Sequence, residues 1–224
     1  MQFLVLKSAT EKKIIGNQYP QIQTMGGTVN RDAQDSIYNV YSNKFPDFTP
    51  NLNHFILHAN ARLTDALSAA MISYGFIVNE KVKAIFEQYK LPQHKFYPAT
   101  VKHNEKIYNN YYWFFFISDV LDFIDYDKTS FFITDLVDNK IEDCKSIKSS
   151  MDIKKLKDSL IGKGYINAKI IHLKESISLS YDLFKITLGD YRTYISEKLN
   201  EDLIKQKVTG FDIFPTQKIS IESK

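Results

Sequence analysis

Cysteine is almost absent: Cys144 is the one thiol in 224 residues. That excludes an intrachain disulfide framework and a zinc site built from several cysteines, so the fold has to stand on packing, and a reducing cytoplasm fits. Long apolar runs are missing too. The first, Phe3 to Leu6, is shorter than the apolar region of a signal peptide and lacks its basic start, and no stretch reaches the length of a transmembrane helix. Neither a leader nor a membrane partner is expected. Charge of one sign is also lacking, with 29 Lys and Arg against 26 Asp and Glu. A balance of +3 is too weak to mark a nucleic-acid binder, whose basic residues concentrate on one face. Gly26-Gly27 leads to Thr28 without the lysine and helix of a phosphate loop, so a glycine turn suffices there.

What the chain does have is apolar mass. At 44% hydrophobic and 14% aromatic residues it can bury a large core, roughly 70 to 75% of its unfolded surface for this size. Its most regular stretch is Ile77 to Pro98, which returns without a gap as Tyr194 to Pro215, a shift of 117 positions. Glu80, Lys81, Lys90 and Pro98 recur as Glu197, Lys198, Lys207 and Pro215. In the first copy Ile77 and Val78 are extended, Asn79 caps a helix, and Val82, Ile85, Phe86 and Tyr89 form one apolar stripe. Pro92 then stops the helix, and Phe96 and Tyr97 resume extended chain, with Pro98 at an edge or bulge. The second copy has Ser196 as its cap and only Leu199 and Leu203 on its stripe, so its helix should be less buried.

Around the repeat, Phe3 to Leu6 and His54 to His58 read as strands, and Ile37 to Tyr41 as a return to the sheet. Thr64 reads as the N-cap of a helix carrying Leu67, Ala70, Met71 and Tyr74 before Gly75 ends it. Lys95 to Lys102 and Lys106 to Ile117 predict a hairpin. Its second arm holds Tyr111, Tyr112, Trp113, Phe114, Phe115 and Phe116 consecutively, a run that must be apolar on both faces. Phe131 to Val137 should pair with Ile141 to Ile147, followed by a helix from Ser150 to Ile161 stopped by Gly162 and Gly164, with further strands at Ile166 to Leu173 and Leu183 to Leu188.

Charge is arranged in two blocks. From Asp119 to Asp143 eight carboxylates face two lysines, and from Lys145 to Lys174 eight lysines face two aspartates. Such runs are commonly solvated faces. Tests for catalytic chemistry mostly fail. His54 and His58 have the spacing of two zinc ligands on a helix, but the Glu beside the first His is missing and the apolar filling reads as strand. Asp119, Asp122, Asp125 and Asp127 lack the alternation and turn glycine of a calcium loop. Cys144 follows Glu142 and Asp143, whose negative charge does not favour the thiolate that a nucleophile needs.

The succession LTDAL at Leu63 to Leu67, GFIVNEKVKAIFE at Gly75 to Glu87, KFYPATV at Lys95 to Val101, YYWFFFI at Tyr111 to Ile117, FIDYDKTSFF at Phe123 to Phe132 and VTGFDIFP at Val208 to Pro215 resembles the bacterial immunity-protein family numbered eleven in polymorphic toxin systems. That family was earlier catalogued as domain of unknown function 1629. The resemblance implies a cytoplasmic, non-enzymatic protein that binds a cognate toxin and blocks it, with no catalytic residues, cofactor or metal to carry over. An acidic surface at Asp119, Asp122, Asp125 and Asp127 would then suit a toxin with a basic cleft. Two other classes stay open: an interaction module without a toxin, homodimeric through the exposed part of the aromatic hairpin, and an enzyme using the aspartates or histidines, which needs a pocket of convergent polar groups. The expected fold is α+β, a mostly antiparallel sheet with two or three helices on one side and an internal duplication of a strand-helix-strand unit. One domain over residues 1–224 is the first expectation. The alternatives are two related α+β halves, one per repeat copy, and an N-terminal extension over 1–60 ahead of a domain over 61–224.

Overall fold

The computed structural model describes residues 2–26, 32–52, 55–118, 120–188 and 191–221. In chain order the elements are β1 (Phe3–Ser8), α1 (Lys12–Ile15), β2 (Ile22–Met25), β3 (Phe55–Leu57), β4 (Ala66–Leu67), β5 (Phe76–Asn79), α2 (Glu80–Phe86), β6 (Gln93–His103) and β7 (Lys106–Ile117). There follow β8 (Phe131–Asp135), β9 (Ile141–Cys144), α3 (Ser150–Ser159), β10 (Gly164–Ala168), β11 (Ile171–Leu173), α4 (Ser176–Ser180), β12 (Leu183–Lys185), β13 (Thr193–Ser196), α5 (Glu197–Lys205), β14 (Phe211–Pro215) and β15 (Ile219–Ile221). The fold is α+β with mostly antiparallel sheets; β3 on β6 and β11 on β15 are the parallel pairs among the described strands.

Two compact units share the chain, each assembled from separate stretches. One comprises Lys7–Ile117 and Leu199–Asp212, the other Met1–Leu6, Ser118–Lys198 and Ile213–Lys224. No boundary falls at residue 60, because β2 and β3 belong to the same six-stranded sheet as the aromatic hairpin.

That sheet has the order β2-β3-β6-β7-β5-β4. β6 and β7 pair from Gln93↔Ile117 to His103↔Lys106 around a turn in which Asn104 takes a left-handed φ of 53°. Side chains alternate between the two faces of β7, and both faces are filled. Trp113 and Phe115 pack with Tyr97, Leu57 and Phe55, while Phe114 stacks against Phe96 at 4.9 Å and Phe116 at 5.0 Å and meets Phe86 at 5.1 Å. Trp113, Phe114 and Phe115 are all buried. Trp113 to Phe116 are therefore core on both sides, Phe96 and Tyr112 are half-buried, and the exposed parts of the hairpin are its tip around Ile107 and the positions Gln93, Lys95 and Pro98 on β6. Pro98 sits where β6 has β7 on one side only, since β3 reaches just Val101 to His103, and next to a register shift between Ala99 and Val101. A residue without an N–H is tolerated there.

The helix expected from Thr64 does not form. Ala66 and Leu67 pair instead with Val78 and Ile77 as β4, and the Thr64 hydroxyl donates to the Ala66 carbonyl at 2.6 Å while accepting from Gln21 Nε2 at 3.0 Å. Asp65 accepts from Asn79 Nδ2 at 2.8 Å and from the Thr209 N–H at 2.8 Å, and pairs with Lys81 at 2.9 Å. Gly210, with φ 94°, lies so close that a Cβ would collide with the Ala66 carbonyl. Ile37 to Asn39 is a 3-10 turn rather than a strand, because the Ser36 hydroxyl accepts from the Tyr38 N–H at 3.4 Å and closes the chain locally.

In the other unit Phe3, Val5, Phe131, Ile153, Ile166, Ile177, Phe184 and Tyr194 form one buried cluster. β10-β8-β9 make a three-stranded sheet, β11 pairs with β15, and the remaining sheet has the order β12-β13-β1-β14. α3 is opened by a capping box: Ser149 Oγ accepts from the Asp152 N–H at 3.3 Å, and Asp152 Oδ2 accepts from the Lys148 N–H at 3.0 Å. Gly162, φ 72°, stops the chain after it, whereas Gly164 begins β10.

The repeat is a duplication of sheet topology, and it is longer than the sequence pattern indicated. β4-β5-β7-β6 in one sheet matches β12-β13-β1-β14 in the other. Ala66↔Val78 and Leu67↔Ile77 correspond, at the same shift, to Leu183↔Ile195 and Phe184↔Tyr194. Asn79 donates its backbone N–H to the Asp65 carbonyl at 2.8 Å, and Ser196 donates its own to the Asp182 carbonyl at 2.8 Å. Each of those side chains also meets the aspartate carboxylate, Asn79 Nδ2 at 2.8 Å and Ser196 Oγ at 2.8 Å. Asn79 caps α2 through Oδ1, which accepts from the Val82 N–H at 3.1 Å. α5 buries only Leu199 and Leu203, as its weaker stripe predicts. In the first copy β7 follows β6 in the chain. In the second, the corresponding place is taken by β1, supplied from the opposite end of the sequence.

Candidate functional site

The acidic loop singled out by sequence runs from a 3-10 turn at Leu121–Phe123 to the start of β8. It is fastened from beneath. Leu121 and Ile124 are buried, Ile124 bridges to Leu173, the Asp125 N–H donates to the His172 carbonyl at 2.8 Å, and the His172 N–H donates to Thr129 Oγ1 at 3.0 Å. Tyr126 stacks on Phe131 at 5.8 Å and donates its hydroxyl to the Leu121 carbonyl at 2.8 Å. Phe123 meets Tyr181 edge-on at 5.7 Å.

This anchoring divides the aspartates into two kinds. Asp125 is half-buried and works inside the loop: Oδ1 accepts from the N–H groups of Asp127 at 3.2 Å and Lys128 at 3.3 Å, and Oδ2 lies 3.8 Å from Lys128 Nζ. It forms an Asx turn. Asp122 and Asp127 are exposed. Lys174, from the basic block, donates to the backbone carbonyl of Asp122 at 2.8 Å, so one cation is already folded against the loop. Asp119, the fourth residue of the expected patch, lies outside the described residues.

The rest of the acidic block is the β8–β9 hairpin. Asp135 Oδ1 accepts from the Val137 N–H at 2.7 Å, Asp138 Oδ1 accepts from the Lys140 N–H at 2.8 Å, and Asn139 turns the chain with φ 57°. Lys140 pairs with Glu142 at 2.6 Å, and Asp143 is exposed on the strand. Several of these acids are therefore turn-formers first, a role that counting charges along the sequence does not reveal. The signal was present in the spacing Asp-x-Asp and Asp-x-x-Asp beside the turn residues Asn139 and Lys128.

His58 follows β3 and its Nδ1 accepts from the Asn60 N–H at 3.1 Å, while His54 lies outside the described residues. Among the described residues no three His, Cys, Asp or Glu side chains gather as metal ligands do. Asp122, Asp125 and Asp127 belong to one unit and His58 to the other. A cavity of about 660 Å³ opens beside β2, lined by Gln23, Met25, Tyr38, Met71, Tyr74 and Trp113 among others, with no histidine or carboxylate among the described residues of its wall. Trp113 Nε1 donates to the Tyr74 carbonyl at 2.6 Å there. Cys144 is half-buried on β9, contacts Ser146 Oγ at 3.4 Å and packs against the buried cluster. No described helix is long and apolar enough to cross a membrane. The sequence matches no protein-family model and no curated protein.

Proposed function

We propose that the chain is an immunity protein that binds a cognate bacterial toxin in the cytoplasm and neutralises it by occlusion, without catalysis. The observation that carries the reading is the pairing of exposed Asp122 and Asp127 on a loop whose backbone is fixed at Ile124, Asp125 and Thr129. Carboxylates held in this way lose little freedom on binding, and an acidic face steers a basic partner and selects it by charge. The order of motifs from Leu63 to Pro215 supports the same class. The contact set is Asp122 and Asp127, joined in the sequence by Asp119; Asp125 acts by holding the turn.

The test is calorimetry with the product of the neighbouring toxin gene. Asp122→Lys with Asp127→Lys is expected to weaken binding at least tenfold, about 1.4 kcal/mol, with the thermal midpoint nearly unchanged because both side chains are exposed. Asp125→Lys is expected to lower the midpoint as well, since it breaks the Asx turn. Equal affinity of the double variant and the native chain removes this loop from the contact surface. Failure of co-expression to restore growth in the presence of the toxin overturns the immunity reading itself.

A further inference from the structure

β9 is the edge of the β10-β8-β9 sheet. Its ladder with β8 has Thr134↔Ile141, Ile133↔Glu142, Phe132↔Asp143 and Phe131↔Cys144, and the Asp135 N–H donates to the Lys140 carbonyl at 3.0 Å. Hydrogen bonding alternates along an antiparallel pair, so Lys140, Glu142 and Cys144 turn their backbone groups toward β8. Ile141 and Asp143 turn theirs outward. The same alternation sets the side chains. Glu142 and Lys140 share one face, where they pair, while Ile141 and Asp143 share the other with their cross-strand neighbours. That face carries two rows, Tyr165-Thr134-Ile141 and Asn167-Phe132-Asp143.

The face is unusually apolar for a solvated hairpin. Ile141 is 64% exposed and Tyr165 40%, and the adjoining turns add Leu136 and Val137. Ile161 is exposed nearby, on the turn that the Leu136 N–H reaches through the Lys163 carbonyl at 2.9 Å. Yet between Phe131 and Cys144 four carboxylates stand against Lys140. An edge with apolar side chains invites another strand, and charge decides which strand is accepted. A second copy of β9 is disfavoured, because the register that engages Ile141 and Asp143 of both copies sets Glu142 against Glu142, and like charges directly opposite destabilise a ladder.

We infer that β9 takes an extended basic segment of a partner protein as a fourth strand, with an apolar side chain of the partner against Ile141 and a lysine or arginine against Asp143, two residues away. This deepens the reading of the chain as a binding protein, but its test needs no toxin. The probe is a synthetic eight-residue peptide made of two Val-Thr-Lys-Thr repeats, which sets valine and lysine two residues apart on one face, titrated into the full chain by solution NMR and calorimetry. The amides of Ile141 and Asp143 are expected to shift and gain protection from exchange. Asp143→Asn, which removes only the charge, should weaken binding several-fold, and Asp143→Pro, which also removes an N–H that β8 does not use, at least tenfold. Retained protection of the β8–β10 amides establishes that the proline variant is folded. If it is not, the same peptide N-methylated at every residue, which has no backbone donor on either edge, takes its place against the native chain and should not bind. Shifts that map away from β8 and β9, native affinity in Asp143→Pro or for the N-methylated peptide, or equal binding of the same peptide with glutamate in place of lysine each overturn the inference. Loss of toxin binding through Asp122 and Asp127 with β9 binding intact, or the reverse, separates the two surfaces.

Discussion

Phe114→Ala should destabilise the chain by about 3–5 kcal/mol, the range for truncating a fully buried aromatic side chain. Phe114 is buried, stacks on Phe96 and Phe116 and meets Phe86 from α2. The ring thus joins three neighbours in the β6–β7 hairpin and the first repeat helix, and its loss leaves a cavity that the paired strands on either side prevent from collapsing. Phe76↔Phe114 and Phe96↔Phe114 fix the backbone from both edges. Urea denaturation should show the loss directly. Hydrogen exchange should place it, with protection lost first in β5, β6 and β7 and in α2. Phe114→Leu should recover part of it by refilling the site. Native stability in Phe114→Ala would mean that the stacked rings are not the core of this sheet.

The reason this core was legible is its redundancy. Six consecutive aromatic residues cannot be hidden on one face of a strand, so burial on both faces followed from the sequence alone. The repeat copies were legible for a similar reason: Asn79 and Ser196 each precede a helical stripe, and Leu199 and Leu203 alone survive in the second. What was not legible is the two-residue strand Ala66–Leu67. Its neighbours Leu67, Ala70, Met71 and Tyr74 have helical spacing, and nothing local shows that Val78 and Ile77 will claim Ala66 and Leu67 as strand partners. The hint was available only at long range, in the recurrence of Asp65 as Asp182 ahead of the second copy. β1 was legible as a strand, but its pairing with β13 spans nearly the whole chain and leaves no local pattern.

The acidic surface was legible as charge and not as structure. Sequence counting treats Asp122, Asp125 and Asp127 alike, whereas the fold spends Asp125 on a turn and leaves the other two exposed. The same division runs through the β8–β9 hairpin, where Asp135 and Asp138 hold the turn and Asp143 stands free of it on the strand. Turn-forming carboxylates fix the backbone next to the exposed ones.

Asp65→Ala should cost about 3 kcal/mol at neutral pH, comparable to removing one partner from a partly buried ionic network. The carboxylate accepts from Asn79 Nδ2, from the N–H and hydroxyl of Thr209, and pairs with Lys81, so alanine leaves several donors without their acceptor at once. Its duplicate Asp182 holds Ser196 in the same relation, which marks the interaction as part of the repeated unit rather than a local accident. Burial by itself pushes the Asp65 carboxyl up, but the Lys81 ammonium, the Thr209 N–H and Asn79 outweigh it and hold the group below its ordinary value. A carboxyl lowered on folding contributes its full stabilisation above the unfolded value, about pH 4, and loses it as the pH falls through the folded one. The gap between native chain and Asp65→Ala should therefore be constant from neutral pH down to about pH 5 and narrow below about pH 4. Asp65→Asn should not rescue it, because an amide cannot present two acceptor oxygens to Asn79 and Thr209. Chemical denaturation of the three proteins across that range is the measurement. A gap that widens on acidification would show that the Asp65 carboxyl is raised by burial and that Lys81 does not hold it.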